Sequence, residues 1–140
     1  MAKLTEPDGE WISLLYANGL LARWARGDDG ALARMEQVWA ADPPGTVRMQ
    51  ILYGCVMSEK PPTALPLDAW ARIAEGSSDP LAKAIGLVWR FRGKAAGSAA
   101  ALLELLRTSL RGYGLEGEAG GETVDVSASL DILRAFARWG

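Results

Sequence analysis

The chain has no histidine, one cysteine and no long apolar run. Without histidine it lacks the usual general base, the Ser-His and Cys-His activators and the commonest zinc ligand. Cys55 alone cannot close an internal disulfide, which fits a reducing, cytoplasmic setting. No stretch approaches the ~18 apolar residues that cross a membrane. The opening MAKLTEPDGE reaches acid and proline too early for a secretory signal. Basic charge is also short. At a net charge of −2 the chain lacks the cationic surface on which general nucleic-acid or anionic-membrane binding relies. Together these absences point away from an enzyme, a metal or cofactor site and a membrane protein.

What is present suits a small globular protein. The 140 residues are 49% hydrophobic and 23% charged, enough to bury a core without metals or disulfides. Alanine, leucine and arginine dominate, β-branched residues are sparse, and breakers recur. The pattern predicts an all-α single domain of about seven helices. The heavy use of Ala, Gly, Arg and Trp resembles a high-GC bacterial or phage coding sequence.

The first predicted helix covers about 10–26 and stops at Gly27, with Asp28 or Asp29 capping a second at about 30–41. ADPPG breaks the chain, and Pro44 suits a helix start because its missing N–H would be unpaired there anyway. A third helix at about 46–58 precedes KPPTALP, whose prolines exclude helix. Further helices are expected at about 67–76, 80–93 and 98–111, with Ser98 as a cap. Residues 112–126 read as a flexible acidic, glycine-rich loop in which Val124 to Val126 could pair as a strand. A capping helix at about 127–139 would set Leu130, Leu133, Phe136 and Ala137 on one side, with Asp131, Arg134 and Arg138 mostly elsewhere.

Pro7, Pro43 and Pro80 stand 36 and 37 residues apart, and an aromatic follows each: Tyr16, Tyr53 and Trp89. A second helix follows each of these: ALARMEQVW, LDAWARIA and AALLELLR. A period of this length built from helix pairs marks an α-solenoid. The expected pairs are about 6–41, 42–78 and 79–112, three stacked antiparallel pairs. Coincidence is the alternative, because proline favours helix starts and the chain holds seven. The first helices are uncharged through their centres, whereas the second carry Arg34, Glu36, Asp68, Arg72, Glu104 and Arg107. An uncharged helix must be buried or covered, so that layer is core, concave binding surface or homodimer interface.

These words resemble the tetratricopeptide and HEAT helical repeats. Gly19, Ala31, Met35 and Pro43 fall at positions of the tetratricopeptide pattern, as do Ile85, Gly86 and Trp89. Leu15 stands where that pattern has Trp, Asn18 where it has Leu and Ala22 where it has Tyr, while the Asp-Pro openings suit HEAT repeats. ARIAEGSSDPLAK is also similar to the small tetratricopeptide-like chaperones of bacterial type III secretion. That resemblance implies a groove holding an amphipathic helix of a secretion subunit.

Other motifs have plain structural readings. GYGLEG spells G-x-G-x-x-G at Gly112, Gly114 and Gly117 but follows a helix, where a dinucleotide site needs a preceding strand. Glu116, Glu118, Glu122 and Asp125 lack the alternating spacing of a calcium loop. Cys55 has no cation near it in sequence and reads as a buried thiol. The tryptophans, Trp24 with its flanking arginines among them, serve either as wedges between helices or as contact residues.

The reading favoured is a non-enzymatic adaptor or chaperone. It would hold an apolar or amphipathic segment of a partner protein in a groove of the first, third and fifth helices. Candidate contact residues are Trp11, Leu15, Tyr16, Tyr53, Trp89, Arg90 and Arg92. No catalytic, metal or cofactor residue is assigned, and nucleic acid and membrane are not expected partners. The alternative is a small helical subunit of a nucleic-acid complex using Arg90, Arg92, Lys94, Arg107 and Arg111.

Overall fold

The computed structural model describes residues 7–41, 45–111 and 126–140. Among them are seven α-helices and no strand. They are α1 Pro7–Ala25, α2 Gly30–Ala40, α3 Gly45–Val56, α4 Leu67–Glu75, α5 Pro80–Arg92, α6 Ser98–Arg111 and α7 Val126–Trp139. The all-α expectation holds, with boundaries close to the predicted ones. No helix of the described residues is long and apolar enough to cross a membrane.

Local chemistry sets the ends. Gly27 stops α1 with φ +95°, a conformation that costs other residues about 1–2 kcal/mol. Asp28 rather than Asp29 then satisfies the start of α2, its Oδ1 accepting the Gly30 N–H at 3.0 Å. Pro80 opens α5 in the first turn, where its missing donor costs nothing. Ser98 is not the expected cap. It is the first residue of α6, buried, and its hydroxyl donates to the Ala95 carbonyl at 2.6 Å. Val126 opens α7 rather than ending a strand. The glycine motif, the four loop carboxylates, Val124, Pro43 and Pro44 lie outside the described residues.

The chain divides into two compact units, Met1–Leu67 and Asp68–Gly140. The division falls after the first residue of α4, inside the second of the expected pairs.

In the first unit α1 packs on both α2 and α3. Its core takes Ala17 and Leu20 from α1, and Ala31, Met35 and Trp39, at four-residue spacing, from α2. α3 adds Val47, Ile51, Leu52, Cys55 and Val56. Gln50 donates to Asn18 Oδ1 at 2.7 Å, joining α3 to α1, and Arg48 donates to the Trp39 carbonyl at 2.9 Å. Burial pushes the Cys55 thiol up to about 12, so it stays protonated and unreactive, as a buried thiol should.

In the second unit α5 is the central helix. Ala82, Ala84, Ile85, Leu87 and Val88 are all buried, and α6 and α7 both pack on it. Gly86 lets α4 approach closely. A Cβ there would lie 2.6 Å from the Glu75 nitrogen and closer still to the Ala71 carbonyl oxygen. α4 contributes Trp70, Ala71 and Ala74, α6 contributes Leu102, and α7 contributes Ala128, Ile132 and Ala135. For α5, then, the uncharged centre is core and not a groove wall. The charges of the second helices (Arg34, Glu36, Asp68, Arg72, Glu104 and Arg107) are all exposed.

α7 corrects the sequence reading most sharply. The residues facing inward are Ala128, Ser129, Asp131, Ile132 and Ala135, while Leu130 and Leu133 are exposed. Of the predicted apolar set Phe136 alone turns inward enough to be half-buried, stacking edge-on against Phe91 with centroids 4.8 Å apart. The helix carries one broad apolar arc, and packing against α5 covers the edge with Ala128, Ile132 and Ala135, not the edge with Leu130 and Leu133.

Candidate partner-binding surface

Within the second unit, the C-terminal ends of α5 and α7 lie together. Phe91 meets Phe136, and one turn on, the Arg92 guanidinium stands 4.6 Å from the centre of the Trp139 ring. Arg138 stands 4.6 Å from the same ring. A cation over the indole face is attracted to its negative quadrupole, here with part of the cation's own hydration removed. Burial, with the neighbouring Arg138 charge, holds Arg92 below the ordinary guanidinium range.

The face of α5 toward α4 carries the other two predicted residues. Trp89 is half-buried and donates its indole N–H to Asp68 Oδ1 at 2.6 Å. Arg90 pairs with Glu75 Oε1 at 2.5 Å. Around them opens a cavity of about 410 Å³, lined by Asp68, Trp89, Arg90, Arg92, Gly93 and Ala95. Lys94 stands exposed next to this lining in the left-handed conformation, φ +59°. The helix-end bonds explain the turn. The Lys94 N–H reaches the Phe91 carbonyl at 2.9 Å and the Ala95 N–H reaches the Arg90 carbonyl at 2.9 Å.

A separate apolar stripe runs along the outer side of α7. Leu130 is 46% exposed and Leu133 50% exposed, on the side of α7 away from Ile132. Ala137 continues the stripe one turn on. On α6, which packs against α7, Leu103 is also 50% exposed. Arg134 flanks the stripe and holds Asp131 Oδ1 at 3.5 Å, shielding a carboxylate that is otherwise nearly buried. Exposed leucines at helical spacing, edged by arginines, are what an amphipathic partner helix requires.

No known family, curated protein or solved structure matches this chain. Its function must be read from its own residues.

The seven sequence-derived contact residues separate between the units. Leu15, Tyr16 and Tyr53 belong to the first, where Leu15 is 55% exposed and the two tyrosines are half-buried. Trp11 lies in α1, but its side chain is outside the described residues. Trp89, Arg90 and Arg92 gather in the second unit, around one cavity. Of the other basic residues, Arg107 pairs with Glu104 at 3.3 Å and the Arg111 side chain lies outside the described residues. Leu103, Leu130 and Leu133 were not among the candidates. The signal available was the breadth of the apolar arc in VSASLDILRAFARW, which is wide enough to leave one edge spare when the other is packed.

No group of three or more metal-ligating side chains occurs among the described residues.

Proposed function

We propose that the chain is a non-enzymatic protein-binding module, an adaptor or chaperone that holds an apolar or amphipathic helix of a partner protein. The observation that carries this reading is the outward exposure of Leu130 and Leu133 on a helix whose opposite face is already packed. Exposed single leucines are ordinary, but two on one helix face form a candidate hot spot. The occupant would lay its own apolar stripe along α7, and the arginines at the rim would set its direction. A cytoplasmic setting suits the lone cysteine.

A helical peptide library displayed on phage tests this. Selection on the purified protein should return sequences with apolar residues at i, i+3, i+4 and i+7. Their binding should be lost in Leu130→Asp and Leu133→Asp proteins that keep the helical circular-dichroism spectrum. Unchanged binding by both variants would sink the reading.

A further inference from the structure

We draw no further inference here: the strongest candidate, the uncharged outward face of α1 on which Leu15, Asn18, Gly19 and Ala22 are exposed, is a surface patch, and nothing in the structure shows what covers it.

Discussion

Ile132 is fully buried in the second unit, while Leu133, the next residue, is half exposed on the other side of α7. The two differ by one helical step of about 100°, enough to carry a side chain from core to surface. Ile132→Ala should lower unfolding free energy by about 2–4 kcal/mol, through lost burial and the cavity left behind. Leu133→Ser should change it by less than about 0.5 kcal/mol. Urea denaturation distinguishes them, and equal losses would mean that α7 packs by its other face.

Two glycines should respond in opposite directions. Gly86→Ala forces a methyl against the α4 backbone, which cannot rotate away, and should cost about 1–3 kcal/mol. Gly19 lies inside α1 with nothing within 4 Å of an added Cβ, so Gly19→Ala should gain roughly 0.5–1 kcal/mol of helix propensity. Thermal midpoints of the two variants, read side by side, check the close approach of α4 to α5.

The Trp89 indole should be the slowest-exchanging of the half-buried tryptophans, because its N–H is held by Asp68. Asp68→Ala should shift its indole amide resonance, speed its exchange with deuterium and cost about 1 kcal/mol. An unmoved resonance would show that the bond does not persist in solution.

Cys55 predicts an alkaline effect. Its ordinary value of 9.0 rises to about 12 on burial, so the fold accommodates only the protonated thiol. Below pH 9 the thiol is protonated in both states and adds no pH dependence. Between about 9 and 12 the unfolded chain releases a proton that the folded chain keeps, so its share of stability falls by up to about 1.4 kcal/mol per pH unit. Cys55→Ala should be less stable than the parent at pH 8, and that gap should shrink as pH rises through this window. Native protein at pH 8 should also resist iodoacetamide until urea is added.

Helix content and boundaries were legible because they rest on local chemistry. Pro80 opens α5 and Gly27 ends α1 for reasons confined to a few residues. The thiol of Cys55 was legible for the same reason, having only apolar neighbours in its helix. The convergence of Trp89, Arg90 and Arg92 on one cavity was half legible. Their i, i+1 and i+3 spacing places them on one helix end, but Asp68, Glu75 and Trp139, which hold them there, come from elsewhere in the chain.

By itself, the sequence determined the seven helices found among the described residues, their breaks and their solvated charges, since periodicity and backbone preference act within a turn or two. Only the tertiary structure decided that α5 is core, that Lys94 takes the left-handed turn, and that Asp131 goes in while Leu130 and Leu133 stay out. α7 carries one broad apolar arc, and either edge of it could have met α5. Which one does depends on the shape of the helices it packs against, and no single helix encodes that.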